Sequence, residues 1–236
     1  MNDFEIKVMN DMTVEAVSKA IINETSKWEF KNSDYITLVN ALLDLSLSKA
    51  QTDVSTKKVK EKQRQVKLNF PLTGEQIRIR LFDKDIDYNI VQRWLEDEFG
   101  RWFLLSRSYT RDVTLDQLIE DERNILGIIA LPDYTPIGLM GYLDYDEFHH
   151  KAEMRKLIGE EKYREKGYAK EATMLWIQYG INNLGLKKIY LNTIENNIRN
   201  VTLNKELGFQ IEGILRKECL IDNDYYDLLR MGLVVD

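Results

Sequence analysis

The chain has little of what staples or metallates a small protein. Among 236 residues there is one cysteine, Cys219, and two histidines, His149 and His150. A single cysteine excludes an intramolecular disulfide and fits a reducing compartment. The two histidines are adjacent, and extended neighbours point to opposite faces, so they are not placed to chelate one ion and no metal site is expected. No run approaches ~18 uninterrupted apolar residues, so no membrane span is expected. The opening MNDFEIKVMNDMT lacks a basic segment followed by an apolar run, so it does not read as a secretory signal. Positive charge is not in excess either. The net charge is -6, the opposite sign from that of a sequence-independent nucleic-acid binder. The expectation is a cytoplasmic protein with neither nucleic acid nor membrane as partner.

What is there is the profile of a globular protein: 44% hydrophobic and 31% charged residues. A chain of this length buries a sizeable core without covalent staples. Residues 1 to about 50 read as helical. Val14, Val17, Ile21 and Trp28 are spaced for one helix face, and Leu38, Leu42 and Leu45 for another. Asn32-Ser33-Asp34 reads as a turn with a helix cap between them. Residues 57–67 are rich in charge and free of aromatics, which marks a linker or a solvated helix. Two parts are therefore expected: residues 1–66 as a helical extension with a charged linker, and residues 67–236 as the main domain.

The pattern changes after Pro71 and Gly74. Residues 77–82 alternate as a strand, and 83–99 read as a capped helix. A short helix follows at 115–123. Strands are read at 124–131, 137–146 and 151–159, then an amphipathic helix at 167–183 with Ala169, Ala172, Trp176, Tyr179 and Asn183 along one side. A strand at 187–194 and a helix from Asn197 to Leu207, stopped by Gly208, come next. Residues 209–221 and 225–235 form a hairpin across Asp222-Asn223-Asp224. The order β α α β β β α β α β β, without internal repeat, is that of a mixed α/β domain.

The informative segment is EEKYREKGYAKEAT, residues 160–173, which follows a strand and opens a helix. In it Arg164, Gly167 and Ala169 give the spacing R-x-x-G-x-A. Gly167 lets the backbone approach a bulky anion or take a strained turn. The free N–H groups and positive end of the helix then suit a pyrophosphate, and Arg164 is placed to add a charge-assisted contact. An ordinary strand–loop–helix junction carries the same spacing, so the context decides.

That context resembles the GNAT acetyltransferase superfamily, in the branch of the ribosomal-protein and spermidine N-acetyltransferases. IRIRLFDKD (77–85) resembles its first strand and helix start. AEMRKLIGEEKYREKGYAKEA (152–172) resembles its fourth strand and the loop that binds the pyrophosphate of acetyl-CoA. ENNIRNVTLNKELGFQIEGILRKE (195–218) resembles its later helix, and DYYDLLRMGLV (224–234) its last strand. The resemblance implies a central, mostly antiparallel sheet flanked by helices, and transfer of an acetyl group from acetyl-CoA to a primary amine of a small molecule or a protein N-terminus. It implies that Arg164, Glu165, Lys166, Gly167, Tyr168 and Ala169 hold the pyrophosphate through backbone groups, that Leu157 and Ile158 pair with the pantetheine arm, and that Asn197 contacts the cofactor. No metal is implied, and a homodimer is compatible with it.

The chain also departs from the family. Where relatives place a tyrosine near the thioester sulfur as general acid, this chain has Asn204, and an amide does not give up a proton as a phenol does. Where some relatives place a glutamate on the following strand, it has Asn192. These losses support an alternative, a non-catalytic acyl-CoA-binding module on the same fold. Glu153 is the candidate base, with a salt bridge to Arg155 as its structural alternative. Asp144 and Asp146 are candidates to attract a cationic amine or are simply solvated. Trp94, Trp102, Phe103, Tyr142 and Tyr145 are core or pocket lining, Arg107 and Arg111 are placed to meet an acidic substrate group, and Cys219 reads as a buried thiol.

Overall fold

The computed structural model describes residues 14–30, 32–48, 69–97, 100, 103, 114–194, 198–221 and 224–235. The chain falls into two compact units, Met1–Asp53 and Val54–Asp236. In the first, helices α1 (Val14–Thr25) and α2 (Asn32–Ser48) are joined by a short 3-10 turn. Their junction is held by the Thr25 hydroxyl, 2.9 Å from the Tyr35 hydroxyl, and by the Phe30 and Tyr35 rings with centroids 5.7 Å apart. Asn32-Ser33-Asp34, expected as a turn with a helix cap, forms the first residues of α2. Val17, Leu42 and Leu45 are exposed. The charged segment 57–67 lies outside the described residues.

The second unit is built on one eight-stranded sheet. Its elements are β1 (Leu72–Thr73), β2 (Arg78–Leu81), α3 (Lys84–Glu96), α4 (Leu115–Glu120), β3 (Ile125–Ala130), β4 (Pro136–Asp146), β5 (Lys151–Ile158), α5 (Tyr168–Asn182), β6 (Lys188–Ile194), α6 (Ile198–Glu206), β7 (Gln210–Ile221) and β8 (Asp224–Val234). The strand order is β1-β2-β3-β4-β5-β6-β8-β7, and among the described residues every pairing is antiparallel except β5–β6. The fold is the expected mixed α/β one, a mostly antiparallel sheet flanked by helices.

Local chemistry explains the element ends. The Asp83 carboxylate caps α3 by accepting from the Asp85 N–H at 2.9 Å. Thr114 and Gln117 close a capping box on α4. Gly208, at φ 93, stops α6 in the left-handed region that glycine adopts without strain.

Alternation on the strands sends side chains to two layers. Val91, Trp94 and Leu95 of α3, Leu115 and Leu118 of α4, and Phe103 pack with Leu139, Leu143 and Leu157 on one face. On the other face α5 lays Trp176 over Tyr142, whose rings stack with centroids 5.4 Å apart and whose hydroxyl donates to the Trp176 carbonyl at 2.8 Å. Phe70 also meets Tyr179 edge-on, so the sheet unit is already packed upstream of β1.

Candidate active site

Among the described residues β5 and β6 share the only parallel pairing, and it is short. Lys151, Ala152 and Glu153 register with Lys188, Ile189 and Tyr190, and no further pairs form. Beyond this point β5 stays paired to β4 as far as Ile158, and β6 stays paired to β8 as far as Ile194. The facing edges of 154–158 and 191–194 therefore separate into a wedge. Strand edges without a ladder partner present backbone donors and acceptors to whatever enters.

At the open end of the wedge the chain turns into α5. Gly167 sits at φ 87 and Glu165 at φ 64, which bends the loop sharply into the helix. A Cβ built on Gly167 would meet nothing within 4 Å. The glycine thus serves the backbone conformation and an open approach rather than packing. The turn is braced from behind. The Arg164 guanidinium donates to the carbonyls of Ile158 at 3.0 Å and Gly159 at 3.1 Å, and to the Asp97 carboxylate at 2.8 Å. The Glu160 carboxylate accepts from Trp94 Nε1 at 2.9 Å and pairs with Arg93 of α3. Arg164, expected to reach a phosphate, is thus committed to the protein. What the turn presents is backbone: the N–H groups of Lys166, Gly167, Tyr168 and Ala169 bond to no backbone acceptor among the described residues. Orphan donors at the positive end of a helix form a site for an anion.

The throat of the wedge is polar. On the α3/α4 face, Glu153 and Arg155 are 3% and 5% exposed. Arg155 Nη2 lies 2.6 Å from Glu153 Oε1, and Asn192 Nδ2 donates to the same oxygen at 3.1 Å. Arg155 Nη1 crosses the wedge to the Asn192 carbonyl at 3.1 Å. Arg230 then donates to Asn192 Oδ1 at 3.1 Å and stacks over the Tyr190 ring at 4.9 Å. The Nη2–Glu153 contact is close but poorly aligned, which leaves Nη2 and Nε of Arg155 without a well-formed hydrogen bond. Burial, with Glu153 and Asp144 as neighbouring negative charge, raises the Tyr190 phenol above its ordinary value. The ion pair between Glu153 and Arg155 is therefore present, and Asn192 is the group that orients it.

On the opposite face, Lys156 Nζ donates to Asn204 Oδ1 of α6 at 2.5 Å. Leu157 is buried against α3 and α4, and Ile158 ends the strand, so both bring backbone to the wedge rather than a reacting side chain. Asn197, Arg107, Arg111 and Trp102 lie outside the described residues.

The remaining candidates stand apart from the wedge. Asp144, at φ 50, and Asp146 flank a register shift in β4, so strand alternation does not carry between them. Asp144 lies 3.4 Å from Arg123, and Asp146 accepts from the His149 N–H and is 2.7 Å from its ring. Those bonds to His149 hold the Asp146 carboxyl below its ordinary value, the backbone bond first. His149 and His150 lie in the turn between β4 and β5, where Asp146 gathers the chain. No cluster with metal-ligating potential occurs among the described residues. Cys219 is buried, and that burial pushes its thiol up, away from nucleophilic character. Trp94, Phe103 and Tyr142 are core, and Tyr145 donates to the Leu184 carbonyl at 3.1 Å. Lys156 was missed, although a lysine between Met154 and Ile158 on an otherwise apolar strand face was a signal to be read.

Residues 76–210 match the acetyltransferase (GNAT) domain family. The chain belongs to that GNAT family. Over 161 residues it is 30% identical to spermidine N(1)-acetyltransferase of Escherichia coli (strain K12), covering 68% of this chain and 82% of that enzyme. It is 28% identical to the Vibrio cholerae enzyme of the same name over 146 residues, 62% of this chain and 80% of that one. The crystal structure of spermidine N-acetyltransferase from Vibrio cholerae in complex with CoA and spermine superposes with a TM-score of 0.59 at 24% identity, over 67% of this chain and 95% of that one. The GNAT chain is accordingly an N-acetyltransferase that uses acetyl-CoA as cosubstrate.

Proposed function

We propose that the wedge between β5 and β6 is the acetyl-transfer site and that its acceptor is a primary amine of a small cationic molecule of the polyamine class. The observation that carries this is the splay itself: one strand edge open from 154 to 158, leading to a turn with orphan N–H groups. The pyrophosphate of acetyl-CoA would meet Arg164 to Ala169 through backbone, and its thioester arm would lie along Leu157 and Ile158. Asn197 is assigned a cofactor contact on resemblance alone. The amine would enter from the α3/α4 face, where Glu153 is the candidate to take its proton. Holding both reactants in one cleft removes the entropy of their encounter, and strand N–H groups stabilise the oxyanion that forms on the thioester carbonyl. The names of the relatives support a polyamine, and the net charge of -6 favours approach of a cation. The test is an acceptor panel of spermidine, spermine, short diamines, amino acids and an unblocked peptide, read by thiol release and product mass. Polyamines should be acetylated, and turnover of the peptide alone would shift the acceptor to protein N-termini.

Two coarser attributes belong to the same reading. Residues 67–236 are proposed to carry the whole cosubstrate site, with residues 1–66 as an appendage. A chain starting at residue 67 should then bind acetyl-CoA as the full chain does, and its failure to do so would move the boundary. The protein is further proposed to work in the cytoplasm and to self-associate. The latter is supported by a spermidine N-acetyltransferase structure from Vibrio cholerae described as dodecameric, and sedimentation of the purified chain tests it. Among the described residues, no helix is long and apolar enough to cross a membrane.

A further inference from the structure

Ala152, Met154, Lys156 and Ile158 share the face of β5 that looks toward α5 and α6. The register fixes this: Met154 lies opposite Tyr142, which touches α5, and Lys156 lies opposite Met140. Three of these four positions are apolar, and the fourth is a lysine. Its Nζ reaches across the wedge to Asn204 of α6. Asn204 is 0% exposed, and its Nδ2 has no hydrogen-bond partner. No carboxylate lies within salt-bridge distance of Lys156 among the described residues. An ammonium facing one neutral acceptor is poorly compensated for its lost water, and a methionine would pack there without that cost. A group kept against stability, with a second unsatisfied donor beside it and an open strand edge next to it, has the marks of chemistry rather than packing.

We propose that Lys156 is the general acid of the acetyl transfer: its ammonium, steadied by Asn204, protonates the thiolate as it leaves the thioester. This rests on the reading of the wedge as the acetyl-transfer site. The amine nitrogen attacks the thioester carbonyl carbon, a C–N bond forms and the C–S bond breaks. The electron pair stays on sulfur, which takes a proton from Lys156 Nζ and departs as the thiol. The amine proton goes to Glu153 and then to water, and Lys156 is reprotonated from solvent, so one proton passes in net from nitrogen to sulfur. Asn204 Nδ2, otherwise orphaned, is a second donor for the same developing charge.

The electrostatics agree. Although the side chain is partly exposed as a whole, its nitrogen is enclosed by protein, and this desolvation pushes the Lys156 ammonium down to about 7. An acid of that strength exchanges protons readily at neutral pH. The charged groups on the elements packed around it have other partners. Lys170 pairs with Glu206 at 2.6 Å, Glu171 accepts from the Gln76 N–H at 3.0 Å, and Lys205 also has a partner. On β5 itself, Glu153 and Arg155 face the other layer and each other. The acid must be protonated to act, so kcat should fall as pH rises through the Lys156 pKa.

The test compares Lys156→Met and Lys156→Arg with the wild-type chain. Lys156→Met should lower kcat about 10²-fold while leaving acetyl-CoA affinity within about threefold, and should erase the alkaline limb of the kcat profile. Lys156→Arg keeps the charge but does not release a proton, so it should not restore the rate. Independently of any acceptor, NMR titration of the lysine side chains should show one signal that is missing in Lys156→Met and whose midpoint moves with CoA but not with desulfo-CoA. Full rescue by arginine, an unchanged rate in Lys156→Met, or equal responses to the two CoA forms would overturn the assignment. Absence of CoA binding by the wild-type chain would instead overturn the reading of the site on which it rests.

Discussion

The two ends of β5 show one strand doing two jobs. At Lys151–Glu153 it is paired on both sides, while from 154 to 158 it is paired only toward β4. The second stretch ends in the Gly167 turn, where binding is left to backbone groups. The throat between the two stretches is instead occupied by side chains: Glu153, Arg155, Asn192 and Arg230 on one face, Lys156 and Asn204 on the other. A site made of backbone needs only a glycine and a helix start, so it tolerates change in the residues around it. A site made of side chains changes when one residue changes, and here the side chains contact one another across the wedge.

Substitutions test that contrast. The largest effect is expected at Glu153→Gln. Arg155 would keep its charge in a buried throat without its counter-ion, at a cost of about 3 kcal/mol in stability. Chemical denaturation reads it, and a loss well under 1 kcal/mol would mean the pair is not the brace described. Next comes Gly167→Val. No side chain is near its Cβ, so the fold should survive, but φ 87 is strained for a branched residue and the phosphate approach is obstructed. Acetyl-CoA affinity should drop about 30-fold, equivalent to ~2 kcal/mol. Calorimetry showing affinity within a factor of two would break the backbone half of the comparison. Arg164→Met removes the brace behind the turn and should cost about 1.5 kcal/mol, the range of hydrogen bonds to charged groups. It should weaken acetyl-CoA only through loss of turn order. A loss of affinity larger than that of Gly167→Val would return the guanidinium to the phosphate.

The smallest effect is a pH-dependent one at Lys156. Its folded value, about 7, is below the ordinary 10.5. Below about 7 the ammonium is charged in both states and the folded state carries the full desolvation penalty. Between about 7 and 10.5 the folded protein gives up the proton first, so wild-type stability from this group rises with pH. Lys156→Met should therefore melt ~2–4 °C higher than wild type at pH 6, for ~1 kcal/mol of relief, with the gap closing toward pH 10. A gap that widened with pH would contradict the burial of the charged nitrogen.

Much of this was legible in the residues. Helix and strand positions from 78 to 234 follow periodicity and caps to within a few residues, because amphipathic faces and glycine stops are local signals. β1 was not, since Leu72–Thr73 is too short to show alternation and is held by its register with Ile79 and Arg78. The anion-binding turn was visible as R-x-x-G-x-A, yet the task of Arg164 was not, because its partner Asp97 is 67 positions away. The same holds for the throat. Glu153 and Asn192 are each visible in the sequence, but their bond spans 39 positions and depends on the parallel pairing of β5 with β6. Sequence pattern shows which groups are present, and the splay decides which of them meet.

Product mass and thiol release, measured when the full chain is mixed with acetyl-CoA and spermidine, decide whether the wedge transfers an acetyl group. Monoacetylated spermidine and free CoA should form in equal amounts, with both lost in parallel in Gly167→Val. No acetylated amine from spermidine or from any other amine of the panel, together with no change in melting temperature on adding acetyl-CoA, would contradict that transfer.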